Sequence, residues 1–284
     1  RVFLCHDCWV PFPVGHITEF NSVDQIFQHP VAKKIQQNTM AGSNFKFCDT
    51  KICHINYDNP IGMDKLEINV GIDESCNLRC PSCRTELLYV KQGESFNKKI
   101  LAVEHLLKLI QDYNKPARIL IGSNGDAFAS HVYQYFYSHY EVNSNHAFIL
   151  KTNGLKIKDI TNIDFLKQIN QLQISIDAGS EPVYQKVRLG GKWSRLVENL
   201  QYTKELDIMT QLYFVVQKDN LYDVDNFVAL CDQYNFKGHI TGLEDWGTWP
   251  QFIKHRVHVP GDDLFDEWQK IKSNIKSNRI VCNI

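Results

Sequence analysis

From about residue 65 onward the chain alternates short apolar runs with amphipathic stretches of helical period, and this rhythm most narrows what it folds into. Leu66-Glu67-Ile68-Asn69-Val70-Gly71-Ile72 alternates apolar and polar like a strand. Ile100, Val103, Leu107 and Ile110 then recur at helical spacing until Asn114-Lys115-Pro116 stops them, and Ala117-Arg118-Ile119-Leu120-Ile121 starts a second strand. The same reading predicts strands near 147–150, 172–176, 212–216 and 239–243, and helices around 132–140, 164–169, 193–206 and 223–234. Six strands interleaved with helices imply a parallel sheet under right-handed crossovers, either open and doubly wound or a partial barrel, and periodicity does not choose between them. Either way, sites form at the carboxyl ends of the strands. Leu264, Trp268, Ile271 and Ile275 share one face of a last helix, expected outside the sheet.

A length of 284 residues with 43% apolar content allows one large domain, alone or with a small partner. Lys and Arg number 31 against 32 Asp and Glu, a balance of −1 that suggests neither a basic nucleic-acid protein nor an acidic disordered tail. No apolar run approaches the ~20 residues of a membrane helix, and no charged-then-apolar leader opens the chain. We therefore expect a soluble protein without nucleic-acid or membrane partners. Because the chain opens on Arg1 and already reads as structured at Val2-Phe3-Leu4, something upstream is expected to be missing.

Seven of the nine cysteines form two groups, Cys5, Cys8, Cys48 and Cys53 near the start and Cys76, Cys80 and Cys83 after the first strand. Short C-x2-C-like gaps without a leader fit metal ligation in a reduced compartment, with the cytoplasm as default, better than disulfides. Cys231 lies at helical spacing with Val224, Phe227 and Val228 and reads as a buried core thiol; Cys282 carries no signal. A structural zinc takes four protein ligands, whereas a four-iron cluster held by three thiolates leaves one iron open. Cys76-Asn77-Leu78-Arg79-Cys80-Pro81-Ser82-Cys83 supplies three, in a loop that Pro81 stiffens. Spacing alone leaves zinc or unbound thiols open.

With its position after the first strand, this C-x3-C-x2-C motif resembles the cluster motif of the radical SAM enzymes. Four downstream segments strengthen the resemblance. Gly122-Ser123-Asn124-Gly125-Asp126-Ala127 is similar to the family's Gly-Gly-Glu segment, which binds the amino group of S-adenosylmethionine; Asp126 stands for the more frequent Glu and Ala127 for a common proline. Lys151-Thr152-Asn153-Gly154 is similar to a Thr-Asn-Gly strand ending. Ile174-Ser175-Ile176-Asp177-Ala178-Gly179, followed by Tyr184, Arg188, Gly190 and Gly191, places Ser175 and Asp177 on one side of a strand, toward ribose or methionine, with Arg188 for a forked pair to the cosubstrate carboxylate. Val215-Val216-Gln217-Lys218 resembles the segment beside adenine, with Gln217 toward the nucleoside.

The resemblance implies a partial (β/α)6 barrel of the TIM type over residues 63–284. It also implies a [4Fe–4S] cluster on Cys76, Cys80 and Cys83, S-adenosylmethionine chelated to the open iron, and a 5′-deoxyadenosyl radical that takes a hydrogen from the substrate. An electron donor such as a flavodoxin or ferredoxin is implied with them. Residues 1–62 follow no strand–helix rhythm; they hold Cys5-His6-Asp7-Cys8-Trp9, a helix-like stretch over 23–39, the pair Cys48 and Cys53, and Asn59-Pro60-Ile61-Gly62 as linker. Spacing there slightly favours zinc, yet the order from Cys5 through Gly15, Ile17, Gly42 and Phe45 resembles a SPASM or twitch auxiliary-cluster region, set before the barrel instead of after it. The resemblance makes Cys5, Cys8, Cys48 and Cys53 candidates for a second [4Fe–4S] cluster, with His54 as a lesser one. Such members often modify peptides, so a peptide or protein substrate is expected; a carbohydrate-linked or small-metabolite substrate, or a noncatalytic zinc-binding scaffold, are the alternatives.

Leu243-Glu244-Asp245-Trp246-Gly247 follows the sixth strand, and Glu244, Asp245 and Trp246 are candidates for a substrate wall. Lys33-Lys34 and Lys98-Lys99 read as solvated helix surface, and the Gly122–Asp126 turn lacks the Gly-Lys-Ser/Thr ending of a phosphate loop.

Overall fold

Seven parallel strands lie side by side in chain order in the computed structural model, which describes residues 1–5, 10, 12–41, 66–159 and 163–284. They are β1 (Leu66–Val70), β2 (Ala117–Ile121), β3 (His146–Thr152), β4 (Ile169–Ser175), β5 (Met209–Val216), β6 (Lys237–Gly242) and β7 (Ile280–Cys282). Helices α1 (Val23–Gln28) and α2 (Pro30–Met40) precede the sheet; α3 (Glu94–Gln111), α4 (His131–His139), α5 (Ile163–Leu166), α6 (Glu181–Val187), α7 (Trp193–Glu205), α8 (Val224–Tyr234), α9 (Phe252–His255) and α10 (Phe265–Asn274) connect its strands. A doubly wound sheet reverses its strand order at a switch point, whereas this order runs from β1 to β7 without reversal. Successive right-handed crossovers then put every helix on one side, and the choice left open by periodicity falls to the partial barrel, with β1 and β7 as its edges.

The two faces of the sheet have different chemistry. Ile119, Leu150, Leu172, Phe214 and Ile240 belong to one fully packed cluster with Leu107, Phe136, Leu200, Phe227 and Trp268 from the helices. Each such burial is worth roughly 1.5–3 kcal/mol. Alternate residues form the inner face, and there the row Lys151, Gln173, Gln211, Lys237 runs in register across β3 to β6. The next row toward the carboxyl ends is Ser175, Tyr213, His239 and Val281.

Three expectations need correction. A seventh strand exists: Ile280–Cys282 pairs with Gly238–Ile240, so Cys282 lies in the sheet. The helix expected over 164–169 is only α5, because Ile169 is already the first residue of β4. The single helix expected over 23–39 is two, since Pro30 lacks an N–H and keeps His29 extended at ψ 140°; His29 ends α1 and its ring accepts from Val31 N at the start of α2. Ahead of the sheet, an antiparallel bridge joins Val2 to Gly15, and Val14, Phe20 and Ala32 pack on Leu109 of α3. Cys8, Cys48, Cys53, His54 and the boundary at 62 lie outside the described residues.

Candidate active site at the carboxyl end of the sheet

The loop after β1 carries Cys76 and Cys80, both buried, and Cys83, exposed. Nitrogen donors reach all three sulfurs. Leu78 N–H and Asn153 Nδ2 point at Cys76 Sγ (3.4 and 3.7 Å), Arg188 Nη1 at Cys80 Sγ (3.8 Å) and Arg84 Nη2 at Cys83 Sγ (3.7 Å). Arg84 also donates through Nη1 to Glu74 O at 2.7 Å, clasping the loop from one residue after its last cysteine to two before its first. Sequence reasoning missed Arg84, whose only signal was a cation next to Cys83.

The turn after β2 supports this loop from one side. Gly125 has φ +72°, and a Cβ there would stand 2.6 Å from Ser75 O, so only glycine lets the two segments meet. Asp126 is buried, and its carboxylate accepts from Phe128 N, Ala129 N, Thr152 Oγ1 and Asn153 N. Through these bonds it joins the turns after β2 and β3. Burial pushes its carboxyl up, and those four bonds oppose the rise. Asn153 likewise spends its amide on Asn77 Oδ1 (2.8 Å) and the Cys76 sulfur.

Asp177 and Arg188, both expected to meet the cosubstrate, are joined to each other. Arg188 Nη2 lies 2.7 Å from Asp177 Oδ2, while Asp177 Oδ1 accepts from Val215 N at 2.8 Å. Burial works against the guanidinium charge, but Asp177 and Cys80 outweigh it and raise the Arg188 pKa. Arg188 Nε is buried without an acceptor among the described residues, as is the Tyr184 hydroxyl. Asn220 braces the same corner, donating to the carbonyls of Asp177 and Val215 and accepting from Gln217 N. Ser175 ends β4 and Gln217 follows β5, so both stand at the carboxyl rim.

Behind the cysteine loop lies a buried network that the sequence did not announce. Asp73 accepts from Lys99 Nζ and Ser130 Oγ, each at 2.6 Å, and the Tyr133 hydroxyl stands within 3.3 Å of Val70 O, Asp73 O and Asn124 O. Lys99 is therefore an ion-pair partner, correcting its reading as surface; Lys98 does lie on the surface, paired with Glu94. Glu244, Asp245 and Trp246 lie exposed after β6, with Asp245 capping Gly247 N, and no hydrogen bond joins them to the cysteine loop. Cys231 is a core thiol, pushed up to about 12 by burial.

Do these residues fit an iron–sulfur cluster? Burial, then the Asp126 charge, pushes the Cys76 thiol up to about 11, and burial raises Cys80 as well, while N–H donors directed at sulfur favour the anion.

 

The two tendencies agree once a metal centre replaces the thiol protons, as in thiolate ligation. Among the described residues no three His, Cys, Asp or Glu side chains converge tightly enough to hold a single ion. Sulfurs around one zinc stand under ~4 Å apart, given Zn–S bonds of ~2.3 Å, whereas thiolates on separate corners of a four-iron cube stand farther apart. Three thiols on one loop, each with a nitrogen donor on its sulfur, fit the thiolates of a cluster held by three cysteines.

A family model described as the radical SAM superfamily matches residues 72–231, more than half of the chain, from the end of β1 to α8. No curated protein matches it. Among solved structures, Streptococcus suis SuiB bound to precursor peptide SuiA aligns with a TM-score of 0.51 at 11% identity, over 92% of this chain and 63% of that one. SuiB bound to S-adenosylmethionine aligns with a TM-score of 0.49 at 12% identity over 92% and 63% of the two chains, and anSMEcpe with bound AdoMet with 0.47 at 16% over 74% and 62%. The chain thus spans just under two thirds of the length of these structures.

Proposed function

The chain belongs to the radical SAM superfamily, and from that premise we propose that Cys76, Cys80 and Cys83 hold a [4Fe–4S] cluster that binds S-adenosylmethionine, and that the substrate is a peptide or protein side chain. The observation that carries the cluster assignment is the set of nitrogen donors on all three sulfurs, two of them from guanidinium groups. When bound, the cluster and S-adenosylmethionine supply the electron and the 5′-deoxyadenosyl radical that takes a hydrogen atom from the substrate.

The chain's own residues supply geometry and charge. Arg84 and Arg188 compensate the negative charge of the thiolates and hold the loop ends. Asp126 and Asn153 fix the turns after β2 and β3 against that loop, while the Asp177–Arg188 pair fixes the wall after β4. The backbone at Gly125, the Ser175 hydroxyl, the Gln217 amide and the unpartnered Arg188 Nε are left to meet the cosubstrate, and Glu244, Asp245 and Trp246 are left for the outer part of a substrate.

The peptide reading draws support from the fold shared with SuiB, whose structure holds a precursor peptide, and from the amide-bearing inner face of the sheet. Residues 1–62 form the auxiliary region in this reading, with Cys5, Cys8, Cys48 and Cys53 on a second cluster, 63–284 form the barrel, and a flavodoxin or ferredoxin in the cytoplasm delivers the electron.

The test is anaerobic purification followed by iron and zinc analysis, then reduction with S-adenosylmethionine present. Iron with 5′-deoxyadenosine formation that disappears in Cys76→Ala, Cys80→Ala and Cys83→Ala is the expected result. Tightly bound zinc without iron, or undiminished 5′-deoxyadenosine from those variants, overturns the reading.

A further inference from the structure

The inner face of the sheet carries ammonium groups that no carboxylate pairs with among the described residues. Its residues in register from β3 to β6 are Lys151, Gln173, Gln211 and Lys237, two ammonium groups flanking two carboxamides, with no carboxylate in the row. Elsewhere on this face Glu67 meets Arg118 at 3.3 Å, so that pair closes on itself. Gln211 Oε1 accepts from Gln171 Nε2 (2.6 Å) and the Tyr213 hydroxyl (3.3 Å), which turns its own amide N–H group to other use. The Lys151 ammonium makes no hydrogen bond and no ion pair among the described residues, although the residue is largely enclosed; burial alone lowers its pKa, with no carboxylate to restore it.

Position adds to this. Lys151 stands on β3 two residues before Asn153, whose amide reaches the Cys76 sulfur, so its place on the wall is just below the cysteine loop. On one side it faces Gln173 of β4, and on the other the chain after β2 passes so close at Gly122 that a Cβ there would collide with Lys151 O.

We propose that Lys151, with Gln173 beside it, is a specificity-determining pair that holds a carboxylate of the substrate inside the barrel. This rests on the reading of the barrel as a radical SAM active site acting on a peptide, and it narrows the substrate to one bearing an acidic side chain or a terminal carboxylate near the reacting position. A carboxylate has two oxygens and one charge, matching one ammonium and one amide donor; a phosphate dianion calls for more donors than this pair supplies. Such an anion also restores what burial takes from the ammonium.

The probes are N-acetyl-L-glutamate N-methylamide and its glutamine counterpart, which differ only in the carboxylate, titrated anaerobically into the cluster-loaded full chain with S-adenosylmethionine and followed by ligand-observed NMR. The acid is expected to bind about tenfold or more tightly than the amide, the size of one charge-assisted hydrogen bond. Lys151→Met removes that preference, Lys151→Arg keeps it, and Gln173→Leu weakens it. Equal binding of acid and amide, a preference that survives Lys151→Met, or loss of iron from Lys151→Met overturns the proposal, the last because the lysine would then serve the cluster. Absence of 5′-deoxyadenosine from the wild type counts against the enzymatic reading alone, because the acid preference is read by binding and stands or falls by itself.

Discussion

The backbone N–H of Asn153 lies 2.7 Å from Asp126 Oδ2, so the turn after the third strand hangs on a carboxylate delivered by the second. Through the same asparagine the link continues to Asn77 and Cys76 in the loop after the first strand. Asp126→Asn places an N–H where one carboxylate oxygen now receives two donors. Losing two bonds to a buried charge is expected to cost about 3–5 kcal/mol. Denaturant unfolding of the two proteins checks the cost, and iron retention should fall with it. An Asp126→Asn protein of unchanged stability would mean that the turn is held by something else.

Arg188 and Asp177 form a second buried joint, with side chains only 12% and 6% exposed. Removing one partner strands the other, so Arg188→Met is expected to destabilise the fold by about 3–5 kcal/mol, and Asp177→Asn with Arg188→Met by less than the sum of the single changes. A double-mutant cycle in urea measures the difference. Additive losses would show that the two side chains act independently.

The strand rhythm was legible because apolar residues at alternate positions face the helices; β2 is found at 117–121 as read. β7 was not, since three residues carry no periodicity and their strand state comes from the register with Gly238–Ile240. The cysteine loop was legible from spacing, but the fates of Asp126, Asp177 and Arg188 were not. Their residue types suit a ligand as well as they suit one another, and only packing decides that Arg188, 11 residues along the chain from Asp177, folds back onto it. The inner face did leave a sign. Parallel strands buried on both faces read as continuous apolar runs, whereas Gln171-Leu172-Gln173-Ile174-Ser175 alternates, marking one wet face.

Acid should loosen the support behind the cysteine loop. Burial pushes the Asp73 carboxyl up, yet hydrogen bonds from Lys99 and Ser130 outweigh it and hold it below the ordinary value. A group whose folded pKa is depressed stabilises fully above its unfolded pKa, ~3.9 for aspartate, and that contribution is lost as pH falls through the folded value. Unfolding free energy measured from pH ~6 down to ~3 should therefore decline, and Asp73→Asn should flatten the decline while lowering stability at the upper end. An unchanged slope in Asp73→Asn would assign the acid sensitivity to other carboxylates.

Arg84 is the side chain whose replacement separates charge from geometry at the cysteine loop. Its guanidinium reaches Glu74 O at 2.7 Å and Cys83 Sγ at 3.7 Å through different nitrogens. Burial opposes its charge, and the Cys83 sulfur more than offsets that, so its pKa rises. Lysine brings the same charge as a single point and does not bridge two acceptors in a fixed fork; glutamine brings neither charge nor fork. If the clasp matters chiefly as a fork, Arg84→Lys and Arg84→Gln should lose iron to a chelator at similar rates, both faster than wild type. If charge compensation dominates, Arg84→Lys should hold its iron nearly as long as wild type while Arg84→Gln bleaches. The clasp predicts the first pattern, with chelator-driven loss about tenfold faster in both variants, equivalent to one lost hydrogen bond to a charged group. Three proteins bleaching at the same rate would remove Arg84 from the support of the loop.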